Sequence, residues 1–418
     1  MPDPYFVFVS YSSQLLKDAA NFLPPHSVVV LEEPQVIVQR RVRERVADNP
    51  TVREVIEGPT QRFAEVSELD HALRHLEGRL VFVPATEYGV PAAALLSEQR
   101  GSEGLGVRAA RAFRDKAYQR EVAEQAGVPQ PRFRVCRSLA EAECALVEFG
   151  GRGVVKPQDR QGSLGVTLVR DRANLEDAWA RAVSPPRESM WAGEGRADRL
   201  LVEELVEGPE YSLEAEVLHG RIVNRNLTRK RLFPGDLPVE LGHAVPDASP
   251  GIAADLAAHL ELLVAAAGVG TGFLHSEWKL SNGGPRLIEC AARLPGDGIH
   301  SLISLAYGIN VTREFLDMLA DGTRPDPWVV RGGAAVRFLQ APPGPIATVS
   351  GLMHVREMPD IIECHVDVQS GDSVPVVNSS YARVGHVVAT GSNADVAEAT
   401  AERAASEIVF SQCTDRAG

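Results

Sequence analysis

The sequence predicts a mixed α/β and α+β fold that begins with a doubly wound α/β domain, and three observations support this class. The chain has 418 residues, more than one hydrophobic core usually supports, so several packed subdomains are expected. Within residues 1–95, apolar runs over 5–10, 27–31 and 79–84 alternate with amphipathic stretches, as in buried parallel strands joined by helices. Further strand and helix patterns continue to the end of the chain.

Charge and cysteine usage narrow the classes of function. The formal net charge is −13, which disfavours a nucleic-acid or anionic-membrane surface and favours small-molecule chemistry. The N-terminus lacks a basic leader, and the apolar stretch 260–274 is short and interrupted by Glu261, so a cytoplasmic protein without a membrane span is expected. Five scattered cysteines without a C-x-x-C pair indicate neither a disulfide framework nor a zinc site.

Changes in pattern divide the chain into five predicted segments. The N-terminal α/β domain is followed by a helical linker and then by a small α/β unit that we expect to move as a lid. A unit with two long strands and a tight S-N-G-G turn follows, and a strand-rich segment with a helix over 394–410 closes the chain. The predicted boundaries are 1–95, 96–132, 133–206, 207–330 and 331–418.

Two acidic residues provide the first chemical signal. Glu277 and Glu289 lie on two predicted strands joined by a short turn, so both carboxylates can face one space. Two carboxylates placed together repel each other unless a cation lies between them, and magnesium takes one or two carboxylates together with phosphate oxygens. The alternative is a pair of solvated acids on an ordinary β-hairpin.

Lysines supply the second signal, because only five of the 43 basic residues are lysines. Lys156 ends an apolar strand immediately before the glycine-rich stretch D-R-Q-G-S-L-G-V, whose backbone N–H groups can surround a phosphate that the amine also reaches. Lys116 begins a predicted helix, where a nearby phosphate would offset its unfavourable position. A plain hairpin and a solvated surface lysine are the alternatives.

Taken in order, these features resemble the ATP-grasp superfamily, in which two α+β subdomains clamp ATP. The match runs over roughly residues 110–310 and includes the acidic segment L-V-E-E-L-V-E-G-P-E at 201–210 and E-x-x-x-R at 289–293. The resemblance implies an ATP-grasp fold with a mobile central lid and a C-terminal catalytic subdomain. It implies ATP and one or two Mg²⁺ ions as cofactors, with Mn²⁺ as a substitute. The implied ligands of ATP are Lys116, Lys156, Gly162, Ser163, Leu164, Gly165, Glu203, Glu204, Val206 and Glu210, and those of the metal are Glu277 and Glu289.

The stretch R-L-P-G-D-G-I at 293–299 and the segment L-G-H-A-V-P resemble the L-amino-acid ligases, a subgroup that forms dipeptides. By this resemblance Arg293 steadies the acyl phosphate and the tetrahedral intermediate, His243 stabilises the acyl phosphate, and Gly296 and Asp297 recognise substrate. Asp297 would pair with an amino group. Ala291 departs from the superfamily, which commonly has Asn at this position to complete the magnesium shell.

The implied function is an ATP-dependent carboxylate–amine ligase that forms an acyl phosphate and condenses it with an amino-acid amine, releasing ADP and phosphate. Small carboxylates and amines would be its partners, and a homodimer is the expected assembly. Three rivals stay open: an ATP-grasp ligase or carboxylase that uses bicarbonate or formate, a non-catalytic ATP-binding module, and an oxidoreductase. The last is disfavoured because the N-terminal domain has no G-x-G-x-x-G.

Overall fold

The computed structural model describes residues 4–63, 66–184, 190, 199–233, 238–377 and 379–412. Its N-terminal domain is a parallel four-stranded sheet in the order β3-β2-β1-β4, with helices on its faces. The doubly wound prediction is therefore confirmed. The elements are β1 Tyr5–Val9, α1 Ser13–Ala19, β2 Val28–Glu32, α2 Pro34–Gln39, α3 Val42–Val46, β3 Val52–Glu57, α4 Val66–Ala72, β4 Leu80–Pro84 and α5 Val90–Arg100.

Strand β3 was not predicted, because its sequence V-R-E-V-I-E is charged and only Ile56 is buried, as expected at a sheet edge. The other three strands are the predicted apolar runs. Strand order reverses beside β1, and ligands of open α/β sheets bind at the carboxyl ends of strands next to such a reversal. Ser12 and Thr86, which follow β1 and β4, line a cavity of about 400 Å³ at this edge.

Two helices, α6 Val107–Arg114 and α7 Lys116–Gln125, lead into the predicted lid. Asp115 caps α7 by accepting hydrogen bonds from the N–H groups of Ala117 and Tyr118. The lid is a four-stranded sheet in the order β5-β8-β6-β7 with two helices packed on it. Part of its sequence, 185–189 and 191–198, lies outside the described residues. The lid elements are β5 Phe133–Cys136, α8 Leu139–Glu148, β6 Gly153–Pro157, β7 Thr167–Val169, α9 Leu175–Val183 and β8 Leu200–Glu204.

An antiparallel eight-stranded sheet forms the centre of the molecule, in the order β13-β12-β9-β10-β11-β14-β18-β16. One face packs on α10, and the other faces the N-terminal domain through α11 and α12. The predicted S-N-G-G turn joins β12 and β13 as a hairpin. The elements are β9 Glu210–Leu218, β10 Arg221–Leu232, β11 Glu240–Val245, α10 Pro250–Ala267, β12 Gly272–Ser281, β13 Gly284–Ala291, α11 Ile299–Tyr307, α12 Val311–Asp321, β14 Gly333–Phe338, β16 Ile361–Val366 and β18 Gly385–Gly391.

The C-terminal segment shares this sheet, because β14 pairs with β11 and carries β18 and β16 beside it. Its closing helix ends earlier than predicted. The helix stops at Ser406, and residues 409–412 form a strand, because Ile408 and Phe410 pack into a small core with the strand that begins at Gly344. The remaining elements are β15 Gly344–Ser350, α13 Leu352–Arg356, β17 Ser373–Val374, α14 Ala394–Ser406 and β19 Val409–Gln412.

Among the described helices, α10 alone has the length and apolar composition to cross a membrane, with a mean hydropathy of 1.4. In the structure its leucines at positions 256, 260 and 263 are buried against α7 and the central sheet. One face of the helix therefore packs against the rest of the fold.

Gly333 provides a test of the contact between β14 and the start of α14. A Cβ at this position would overlap the backbone of Asn393 and Ala394, which a side-chain rotation cannot relieve. We expect Gly333→Ala to lower the free energy of unfolding by about 1–3 kcal/mol in denaturant titrations. Gly251→Ala is the matched control: it lies in the first turn of α10 with open space around it and should raise stability by roughly 0.4–1 kcal/mol. Equal stability of the two variants would contradict this packing.

Candidate active site

A cavity of about 400 Å³ lies between the lid sheet, the central sheet and the N-terminal domain. Four of the five lysines line it. Leu164 and Gly165 do not line it, and a Cβ on Gly165 would instead approach Ala182 of α9 behind the glycine-rich loop. The predicted site residues that do line it are Lys116, Lys156, Gly162, Ser163, Glu203, Glu204, Val206, Glu210, His243, Glu277, Glu289, Arg293, Gly296 and Asp297.

At one end of the cavity a buried charge cluster joins the lid to the rest of the protein. Glu203 of β8 forms ion pairs with Lys156 of β6 at 2.8 Å and with Arg120 of α7 at 2.6 Å. Burial alone would raise the pKa of the Glu203 carboxyl, but these two cations outweigh it and lower the pKa. Arg120, which the sequence reading missed, also donates to the carbonyls of Leu287 and Ile288 on β13.

The predicted phosphate loop crosses the cavity between β6 and β7. Gly162 and Ser163 both have φ near +60°, so the backbone turns sharply here. The Ser163 hydroxyl donates to the carbonyl of Pro238, and the ring of Tyr381 lies against Gly162, where a Cβ would come within 2.8 Å of it. The loop therefore contacts both the central sheet region and the C-terminal segment.

Lys230 of β10 is a site residue that the sequence reading left without a role, although the scarcity of lysine had marked it. Its buried ammonium lies 2.6 Å from Glu277, 2.9 Å from Glu210 and 3.5 Å from Glu240. Burial would lower the pKa of Lys230, but the three carboxylates raise it well above its usual value. Lys279 adds a second cation to Glu210 at 3.2 Å. The middle of the cavity is thus a compact network of lysines and acids.

The two acids predicted to hold magnesium face each other across neighbouring strands. Glu277 of β12 and Glu289 of β13 are direct register partners, and both line the cavity. Burial would raise the pKa of Glu277, but Lys230 and His275 outweigh it and hold the pKa well below its usual value, so the carboxylate is ionised. Glu289 pairs with Lys116 at 2.8 Å.

This donor set fits a hard cation that also binds phosphate. Two carboxylates on one wall leave the remaining coordination positions for phosphate oxygens and water, as Mg²⁺ prefers. The part of the chain that the structure describes has no cluster of three or more His, Cys, Asp or Glu that could hold a metal on its own. Glu277 and Glu289 would hold the ion together with a nucleotide.

Ala291 lies directly opposite His275 across the β12–β13 ladder. The imidazole of His275 is hydrogen-bonded to Glu214 at 2.9 Å and to Glu277 at 3.3 Å. Burial would lower the pKa of His275, but these two carboxylates raise it to about 9. His275, which the sequence reading also missed, therefore places a positive charge beside the position where the superfamily commonly has Asn.

Arg293 lies just beyond the two acids and is held from the N-terminal domain. Its Nε is 3.4 Å from the buried carboxylate of Glu87, which follows β4 and also accepts a hydrogen bond from Arg114 at 3.1 Å. A second guanidinium nitrogen of Arg293 donates to the carbonyl of Leu294. Glu87 thus orients the predicted catalytic arginine.

The far end of the cavity holds a His–Asp–Arg cluster. Asp297 accepts two hydrogen bonds from Arg383, at 2.5 and 2.9 Å, and lies 3.1 Å from Nε2 of His243. Asp297 was expected to pair with a substrate amino group, but its carboxylate already has two protein partners, Arg383 and His243. Arg383, from the C-terminal segment, stacks on Phe338 with its guanidinium carbon 3.6 Å from the ring centroid.

Comparison with known proteins bears on these expectations. A family model described as the ATP-grasp domain matches residues 152–301, and a model described as L-amino acid ligase C-terminal domain 2 matches residues 337–411. The solved L-amino acid ligase from Bacillus licheniformis superposes with a TM-score of 0.80 over 99% of both chains at 17% sequence identity, which shows that the fold is shared. The predicted ATP-grasp fold is therefore confirmed.

Two sequence relatives extend the comparison. An uncharacterized protein, y4rH, of Sinorhizobium fredii is 27% identical over 71% of this chain and 61% of its own length. The alanine–anticapsin ligase of Bacillus subtilis is 27% identical over 55% of this chain and 51% of its own length. The chain thus matches about half to three-fifths of the length of these relatives. The chain thus contains an ATP-grasp domain over residues 152–301 and an L-amino acid ligase C-terminal domain 2 over residues 337–411, within a fold that it shares with a solved L-amino acid ligase.

Proposed function

We propose that the protein is an ATP-dependent carboxylate–amine ligase that joins an amino acid or related small acid to an amino-acid amine. The convergence of two facing acids, four lysines and Arg293 in one cavity is the observation that carries this proposal. In the first step the substrate carboxylate attacks the γ-phosphate of ATP, giving an acyl phosphate and ADP. In the second step an amine attacks the acyl carbon and releases phosphate.

In this proposal the chain's own residues position and neutralise the reactants. Bound Mg²⁺ would supply charge neutralisation at the phosphates. Lys116, Lys156 and Lys230 would contact phosphate oxygens, Glu203 and Val206 the adenine, and Glu210 the ribose. The lid would exclude water, which would otherwise hydrolyse the acyl phosphate.

Arg293 would stabilise the second step. Negative charge develops on the acyl oxygen when the amine adds, and a guanidinium fixed in advance by Glu87 can meet that charge without reorganising. Its planar fork also suits the phosphate of the acyl phosphate better than a lysine would. A homodimer and a cytoplasmic location are further predictions of the same proposal.

Glu289→Gln tests the assignment of the metal ligands. The variant keeps the shape of the side chain but loses its charge, so we expect ATP-dependent amide formation to fall on the order of several hundredfold or more. ADP release and product mass, measured with a panel of carboxylates and amino acids, report the rate. Glu261→Gln, on the exposed side of α10, is the control and should match the wild type. Unchanged turnover in Glu289→Gln would refute the assignment. Product formed with bicarbonate instead of amino acids would favour the carboxylase alternative.

The lysine–carboxylate network makes a second prediction, about metal binding. Glu289 already has an ammonium partner in Lys116, so Mg²⁺ without nucleotide must compete with that partner. Lys116→Met should raise the affinity for Mg²⁺ alone by roughly tenfold, because the ion no longer has to displace a charge-assisted hydrogen bond from Glu289. The same variant should lower the affinity for Mg²⁺–ATP. Isothermal titration calorimetry measures both. Lys17→Met is the control, since Lys17 is the one lysine that does not line the cavity. If Mg²⁺ affinity falls in Lys116→Met, the pairing with Glu289 does not govern metal access.

A further inference from the structure

His243 combines burial, a charged partner and an unused ring nitrogen. It lies on β11 with its side chain 1% exposed, lines the far end of the cavity, and meets the ring of Phe338 edge-on. Nε2 faces Asp297 at 3.1 Å. Nδ1 has no hydrogen-bond partner within the part of the chain that the structure describes. A buried polar atom without a partner is uncommon in proteins and calls for an explanation.

The partner of Nε2 determines which nitrogen carries the proton. Burial would raise the pKa of Asp297, but Arg383 and His243 outweigh it and hold the pKa well below its usual value, so the carboxylate is ionised and can only accept hydrogen bonds. Nε2 must therefore donate its N–H to Asp297. In a neutral imidazole this leaves a lone pair on Nδ1, and the Asp297–His243 pair has the arrangement in which a carboxylate orients a histidine base.

The second step of the proposed reaction needs such a group. An amino acid in neutral solution carries an ammonium group, which has no lone pair and cannot attack an acyl phosphate until it loses a proton. On the basis of the proposed ligase function, we propose that Nδ1 of His243 accepts this proton and so generates the attacking amine. Asp297 and Arg383 are the positioning residues that hold the required tautomer.

The step balances in atoms and charge. One proton moves from the ammonium group to Nδ1, and the free amine forms the C–N bond. The tetrahedral adduct collapses with cleavage of the bond between the acyl carbon and the phosphate oxygen. The departing phosphate takes the second proton of the nitrogen, and the proton on His243 passes to solvent as the product leaves. No oxidant, reductant or additional reactant is required.

The charges around His243 favour a base in this position. Arg383 already balances Asp297, so the cluster has no net charge while His243 is neutral, and the positive charge that the imidazole gains at Nδ1 lies beside the Asp297 carboxylate at Nε2. Lys230 is the cross-strand neighbour on β10, and its charge is taken up by three carboxylates. On the other side, β14 presents Val336 as the register partner, which carries no charge.

His243→Gln separates this role from the rest of the reaction. The glutamine amide can still donate to Asp297, but the variant has no nitrogen that accepts a proton. We expect amide formation from an equimolar mixture of the twenty proteinogenic amino acids to fall about 10²–10⁴-fold at neutral pH, the usual contribution of a general base. Hydroxylamine is largely unprotonated at neutral pH and needs no base, so its reaction to a hydroxamate should persist in the variant. That activity also shows that the variant folds and forms the acyl phosphate.

The pH dependence supplies a second readout. In His243→Gln the rate of amide formation should rise about tenfold per pH unit below the pKa of the acceptor amine, because only the free amine reacts. His354→Gln, exposed on α13, is the matched control. Parallel loss of amide and hydroxamate, or undiminished amide formation, would overturn the role of His243 and leave the ligase proposal intact. A wild-type protein that yields neither product with any amino acid would instead refute the ligase proposal itself.

Discussion

Charge compensation around the buried ammonium of Lys230 is the constraint on which the site depends. A cation this far from water is tolerated only when acids surround it, and three acids converge on it from β9, β11 and β12. Those three strands must therefore keep a register that brings their acids to one point. Two of these acids have a second cationic partner, since Glu210 also pairs with Lys279 and Glu277 with His275. Lys116 pairs with Glu289 on the neighbouring strand. These acids and cations therefore balance one another before any ligand enters. In the proposed reaction, the phosphates of ATP would replace the acids as partners of the lysines, and the metal ion would replace the lysines as the partner of the acids.

The N-terminal and C-terminal parts of the chain both complete this site. Glu87 reaches Arg293 from the end of a parallel strand, and Arg383 reaches Asp297 from the segment before β18. The C-terminal strands extend the central sheet, so Arg383 is carried by a rigid element and not by a loosely attached domain. The two acids Glu277 and Glu289 and the acceptor residue His243 of the proposed reaction thus lie on one continuous sheet, whereas Lys156 and Glu203 belong to the lid sheet.

The sequence predicted the parts of the structure that local pattern encodes. Apolar runs marked three of four N-terminal strands, and a short turn placed Glu277 opposite Glu289, as the register confirms. Arg120 was missed because its partner Glu203 is 83 residues away in the sequence. In a chain rich in arginine, the sequence also does not distinguish one buried arginine from the many exposed ones. Arg383 was missed for the same reason, being 86 residues from Asp297. The end of α14 was predicted too late because tertiary packing of Ile408 and Phe410 with β15 outweighed a helical pattern.

The buried guanidinium of Arg120 has a mechanical consequence. Its Nε pairs with Glu203 on β8, and its two terminal nitrogens donate to backbone carbonyls of β13. Arg120 therefore links strand β8 of the lid to the central sheet. Opening the lid by lifting it away as a whole would separate Arg120 from Glu203, while Lys156 would move with the lid and remain paired with Glu203. If the lid moves as the sequence predicts, a rotation about this tie would keep Arg120 and Glu203 paired. The glycine-rich loop, at the distant edge of the lid, would then travel farthest, and the end proposed to hold adenine would move least.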